Sequence, residues 1–125
     1  MKMPMDLTEV KLRRKDVFEG KIMTVHVDDV RLPNGEEATR EVVDHVDGAA
    51  VLALDEANRV LVVRQYRYVF GKVLDELPAG KLDPDEFLNV ERVPFDEMVH
   101  RCVNGEIDDA KTVAAVLRAK VLLNL

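Results

Sequence analysis

Up to residue 93 the apolar residues recur at every second position or in short continuous runs, and after Pro94 they recur at every third or fourth. That change of period constrains the fold more than any other feature, because a repeat of two builds strands and a repeat near 3.6 builds helices. Met23, Val25 and Val27 alternate, and Val30 and Leu32 resume on the other parity, so the slip at Asp28 and Asp29 predicts a bulge. Pro33, Asn34 and Gly35 supply a turn, and Val42, Val43 and Val46 form a returning β-branched run, which together predict a hairpin. Residues 49–54, AAVLAL, form the continuous apolar run of a strand covered on both faces. A further strand opens at 60–63 and runs on to Tyr68, and another at 74–77 is stopped by Pro78 and Gly80. Beyond Pro94, Phe95, Met98, Val99, Cys102 and Val103 keep helical spacing until Gly105. Asp108 or Asp109 then caps a second helix with Val113, Val116, Leu117 and Val121 as its apolar stripe. Strands first and helices last predict an α+β fold.

A chain of 125 residues has room for one core of ordinary size. Its net charge of −6 and pI near 5.1 exclude a general affinity for nucleic acid or anionic membrane, which needs a positive field. No run of apolar residues is long enough to span a bilayer, and MKMPMDLTEV lacks the apolar centre of a signal peptide, so a cytoplasmic location is expected. The basic cluster Lys11, Arg13, Arg14 and Lys15 reads as a solvated face or an edge strand in preference to a phosphate site.

Serine is absent, which excludes a serine nucleophile. Cys102 lies on a helical apolar stripe and reads as an inert core thiol. His26, His45 and His100 show no ligand spacing, so zinc is not supported. Three features remain. Arg64 and Arg67 with Tyr66 and Tyr68 combine charge and stacking surface suited to a phosphorylated ligand with a base, or else are edge-strand charge with half-buried tyrosines. Arg40 beside Glu41 is either a ligand contact or one side of a cross-strand pair. Pro78, Ala79 and Gly80 make a tight loop whose carbonyls can face a cation, with Glu76 before it and Glu86 after it.

Four segments carry a family resemblance: EGKIMTVHVDDVRLPNG (19–35), TREVVDHVDGAAVLAL (39–54), VLVVRQYRYVFGKVLDELPAGKLDP (60–84) and FLNVERVPFDEMVHRCVNGEIDDAKTVAAVL (87–117). Joined in this order, VRQYR, ELPAG and GEIDDAKT resemble the ADP-ribose pyrophosphatases of the Nudix hydrolase superfamily. In that superfamily a glycine and a glutamate are followed by an Arg-Glu-x-x-Glu-Glu helix. Gly80 and Glu86 match the first half, but Pro94 and Phe95 stand where the Arg-Glu should be. The resemblance therefore implies an internal gap near 83–86, and leaves Glu86 as either the first glutamate of the signature or an acid of a later loop.

What the resemblance implies is a single Nudix-like domain over 1–125, with an N-terminal hairpin and dimerisation region at 1–47 and a core at 48–125. The fold would be a Nudix-like mixed sheet with an N-terminal β-hairpin and two C-terminal helices, internally truncated. Arg40, Arg67 and Glu76 would bind substrate, Glu86 would be the catalytic carboxylate, and Glu86 with the Ala79 backbone carbonyl would hold Mg²⁺ or Mn²⁺. The ligand implied is ADP-ribose or a related nucleoside diphosphate sugar, cleaved to AMP and ribose 5-phosphate, by a homodimer that engages neither nucleic acid nor membrane. Cleavage of a diphosphate needs several carboxylates converging on divalent cations, and a helix gathers them at spacings of three and four. Without that helix the chain is expected to be inactive, the alternative role being a non-catalytic nucleotide-sugar-binding or dimeric assembly module.

Overall fold

A computed structural model describes residues 3–80 and 82–125, and the chain divides into two compact units, 1–47 and 48–125. The first unit is an antiparallel sheet in the order β1-β2-β3, built from β1 (Val10–Glu19), β2 (Met23–Arg31) and β3 (Glu37–His45). The β2–β3 hairpin turns where the sequence places it. Gly35 takes φ +88°, the Gly35 N–H donates to the Leu32 carbonyl at 2.9 Å, and the Leu32 N–H donates to the Glu36 carbonyl at 2.8 Å. The basic cluster at 11–15 lies on β1, an edge strand of this sheet.

The bulge predicted in β2 lies instead in its neighbour. Pairing of β2 with β3 runs unbroken from Met23↔His45 to Arg31↔Glu37, whereas β1 slips between Lys11 and Arg13 and again between Asp16 and Phe18. The apolar parity misleads because the inward row of β2 is partly polar: His26, Asp28 and Val30 are buried together. His26 is satisfied on both ring nitrogens, Nδ1 lying 2.7 Å from Asp28 Oδ1 and Nε2 2.9 Å from Asp44 Oδ2. Polar residues with partners in place take positions that a period count reserves for apolar ones.

The second unit has the sheet β5-β4-β6, formed by β4 (Arg59–Arg67), β5 (Lys72–Glu76) and β6 (Leu88–Pro94), followed by α1 (Phe95–Val103) and α2 (Ala110–Leu122). The α+β class is thus present, with strands first and helices last. Every ladder among the described residues is antiparallel, where the resemblance implied a mixed sheet. Parallel neighbours need a long crossover, and here a four-residue turn joins β4 to β5 while 77–87 carries the chain across to the far side of β4. Val60, Val62, Leu77 and Val93 from the sheet pack against Phe95, Met98, Cys102, Ile107 and Val116. Burial pushes the Cys102 thiol pKa up, as befits a core residue.

Residues 49–54 do not form the doubly covered strand predicted. They make one isolated bridge, Leu54↔Val60, and two further backbone bonds, from Val51 N–H to the Pro78 carbonyl at 3.0 Å and from Leu61 N–H to the Ala53 carbonyl at 3.1 Å. Leu52 and Leu54 pack on the core while Val51 and Ala53 stay exposed, so only one face is covered. Pro78 has no N–H to return, and a ladder cannot be continued past it.

Asp109, not Asp108, caps α2: its Oδ2 accepts from Thr112 N at 2.9 Å and from the Thr112 hydroxyl at 2.6 Å. Thr112, fully buried, in turn accepts the Leu77 N–H at 3.0 Å, so the cap of the helix is tied to the end of β5. Of the apolar stripe, Val116 is buried, Val113 and Leu117 pack against the core, and Val121 is exposed. None of the described helices is long and apolar enough to cross a membrane.

Two outcomes follow from the cap. Thr112→Val keeps the shape but strands the Leu77 N–H, and should lower stability by about 1–3 kcal/mol, read as a lower urea midpoint at unchanged slope. Burial pushes the Asp109 carboxyl up, but the hydrogen bonds from Thr112 and Lys111 outweigh it and hold the group below its ordinary 3.8. Its stabilisation is therefore complete above that pH and is lost as the pH falls further. Asp109→Asn should lower stability at neutral pH and flatten the acid limb of a stability–pH curve below about pH 4.

Candidate functional site

Beside the β4–β5 hairpin lies a cavity of about 650 Å³. Its walls combine Arg67 and Glu76 from the two strands, Tyr68 and Phe70 from the turn between them, Asp85, Glu86 and Phe87 from the 77–87 link, and Asp109 and Lys111 from the start of α2. The turn is tight: Phe70 and Gly71 both donate their N–H to the Arg67 carbonyl, at 3.0 and 2.9 Å, and Gly71 takes φ +67°.

At the centre of the wall Arg67 and Glu76 form a two-pronged pair, with Nε to Oε2 at 2.7 Å and Nη2 to Oε1 at 2.9 Å. Glu76 is 4% exposed, so its charge is withdrawn from water and met by the guanidinium. The Glu76 carboxylate in turn holds the guanidinium pKa above its ordinary value, against the opposing effect of burial. Lys111 is 3.0 Å from Asp109 Oδ1. Among the described residues the lining thus carries two cations, Arg67 and Lys111, against four acids, Glu76, Asp85, Glu86 and Asp109.

Arg67, Glu76 and Glu86, three of the residues singled out from the sequence, meet in this cavity with Tyr66 and Tyr68. Arg64 does not join Arg67. It donates to Asp75 at 2.9 Å, and Asp75 also accepts from Arg101 of α1 at 3.2 Å, so Arg64 belongs to a strand-to-helix ion network. Residues 64 and 67 differ in parity along a strand, which places them on opposite faces. Arg40 lies in the first unit and makes a two-pronged pair with Glu9, both contacts at 2.8 Å. Ala79 follows β5 in the Pro78–Gly80 stop and is not part of the cavity wall. Phe70, Phe87, Asp85, Asp109 and Lys111 were not anticipated. The late GEIDDAKT motif holds the signal for the last two, since a capping aspartate brings its helix start, and with it Lys111, beside the strand ends.

The donor set does not fit a pair of divalent cations. Among the described residues no group of three or more His, Cys, Asp or Glu gathers where it could hold a metal ion. Glu86 is partly committed within its own turn, where Oε2 accepts the Asp83 N–H at 3.2 Å and the Glu86 N–H donates to the Asp83 carbonyl at 3.0 Å. Two-metal phosphoryl chemistry needs several carboxylates around both ions.

Residues 9–43 match the family described as the nucleoside diphosphate sugar hydrolase N-terminal domain. The chain is 40% identical over 78 residues to the methanol dehydrogenase activator of Bacillus methanolicus, covering 62% of this chain and 42% of that protein. It is 38% identical over 80 residues to the ADP-ribose pyrophosphatase of Bacillus subtilis (strain 168), covering 64% and 43%. A third relative, the ADP-ribose pyrophosphatase of Mycobacterium tuberculosis, is 45% identical over 64 residues, covering 51% and 31%. The chain spans less than half the length of each of these relatives. In fold it is similar to the crystal structure of an ADP compounds hydrolase, with a TM-score of 0.75 at 14% identity, covering 95% of this chain and 96% of that one. The chain is thus similar in sequence to ADP-ribose pyrophosphatases over half to two thirds of its length, and similar in fold to an ADP compounds hydrolase.

Proposed function

We propose that this chain binds a nucleoside diphosphate sugar of the ADP-ribose kind in the cavity beside Arg67 and, as its sequence stands, does not hydrolyse it. The observation that carries this reading is the Arg67 guanidinium, charged and fixed, in a wall that also presents Tyr68, Phe70 and Phe87. A fixed fork suits a phosphate and the aromatic faces suit a base or sugar. The absence of turnover rests on the donor set. Glu86, with or without the Ala79 carbonyl, leaves Mg²⁺ or Mn²⁺ mostly hydrated, too few groups to clamp two ions on a diphosphate. Were the gap near 83–86 filled by an acidic helix, the same scaffold would cleave ADP-ribose to AMP and ribose 5-phosphate. The charge of −6 disfavours nucleic acid as a partner.

A second role, assembly, draws support from the first unit. Val10, Val17, Phe18, Val43 and Val46 are all more than half exposed on or next to its strands, which favours a homodimer formed through 1–47.

Titration calorimetry with ADP-ribose should give saturable heat, and the same mixture with Mg²⁺ should yield no AMP by chromatography. Sustained AMP release from a preparation of intact mass 14.1 kDa would overturn the claim of inactivity. No heat at millimolar ligand would overturn binding. Sedimentation equilibrium should give a dimer at tens of micromolar, and a monomer throughout that range would remove the assembly role.

A further inference from the structure

Glu76 and Arg67 are each fixed by the backbone that carries them. The residue after Glu76 is tied to the helix, because the Leu77 N–H donates to the buried Thr112 hydroxyl. The Arg67 carbonyl is held from the other side by the N–H groups of the 68–71 turn. Between these anchors the two side chains meet through Nε and Nη2 of the guanidinium. A guanidinium has five N–H donors. The pair uses one on Nε and one on Nη2, which leaves both on Nη1 and the second on Nη2. The Arg67 side chain is 39% exposed and that of Glu76 is 5%, so the arginine reaches the open space and the carboxylate stays behind it.

We infer that Glu76 is a positioning residue: it locks the Arg67 guanidinium so that the remaining N–H edge faces the cavity and accepts a phosphate, and it does not itself touch the ligand. This assignment rests on the nucleotide-sugar reading above, in which Glu76 stood only as one of the binding residues. Electrostatics favour the division of labour. A buried carboxylate placed against a phosphate would repel it, whereas one behind an arginine keeps the cation charged and still. A guanidinium already immobilised loses less rotamer freedom when the anion arrives.

The test is a double-mutant cycle on the full chain, with ADP-ribose as the probe in calorimetry. Glu76→Gln removes the charge and one acceptor at constant shape, and should weaken ADP-ribose by about tenfold, the scale of one charge-assisted hydrogen bond. In an Arg67→Gln background the same change should cost nothing further, because its effect is exerted through the guanidinium. An equal loss in both backgrounds, or no loss in the unaltered one, would overturn the inference while leaving the binding reading intact. If Glu76→Gln does not fold by circular dichroism, Glu76→Asp takes its place. That variant keeps the charge and shortens the reach, and affinity equal to that of the unaltered chain would show that the geometry is irrelevant and overturn the inference. No binding by the unaltered chain overturns the nucleotide-sugar reading, and this inference with it.

Discussion

A carboxylate that folding takes out of water must be met by a cation in good geometry, or the fold loses several kcal/mol. Glu76 meets that demand with Arg67, through two contacts under 3 Å. The pairing reaches across the β4–β5 ladder from Arg67, opposite Lys72, to Glu76, opposite Val63. That span requires the strands to stay in register, and the 68–71 turn and the Thr112 tie supply it from the two ends. The cap of α2, the stop at Pro78 and the shape of the cavity all converge on this pair. A fold that buries one charge so completely has committed that region to a single arrangement.

Such a commitment separates two tasks that Nudix-type chemistry combines. Holding an anion needs one or two fixed cations and a surface for the organic part. Cleaving it needs several carboxylates on one helical face to hold metal ions. The strands and turns of the second unit present one fixed guanidinium, Arg67, beside Tyr68, Phe70 and Phe87. Both of its helices are spent elsewhere: α1 buries Phe95, Met98 and Cys102, and α2 buries Thr112 and Val116. Asp109 at the start of α2 serves as a cap for Thr112, and Glu97 of α1 pairs with Arg101.

The change of period at Pro94 made the class and both helices legible, because each helix carries its own stop and cap: Gly105 at φ +76° and Asp109 with its Thr112 bonds. The hairpin turn was legible for the same reason, its glycine and asparagine being chosen by backbone geometry. What sequence periodicity could not show were the features decided by distant partners. His26 and Asp28 occupy an inward row because each finds a bonding partner across or along the strand. Residues 49–54 look like a central strand, yet whether a run becomes one depends on the chain beside it, and here a proline stands there. Of the cavity wall, Arg67, Glu76 and Glu86 are residues that motifs single out, whereas Asp109 and Lys111 arrive through a helix start whose position only packing fixes.

The two slips in β1 have a consequence at the outer margin of the first sheet. An unpaired strand is a template that any extended segment can join if its N–H and carbonyl groups run in regular alternation. Along β1 that alternation is broken twice within ten residues, and the same stretch carries Lys11, Arg13, Arg14 and Lys15. A foreign strand laid along it would fall out of step before completing its bonds and would meet a row of like charges. The irregularity that a period count places on the wrong strand thus guards the chain against cross-β stacking.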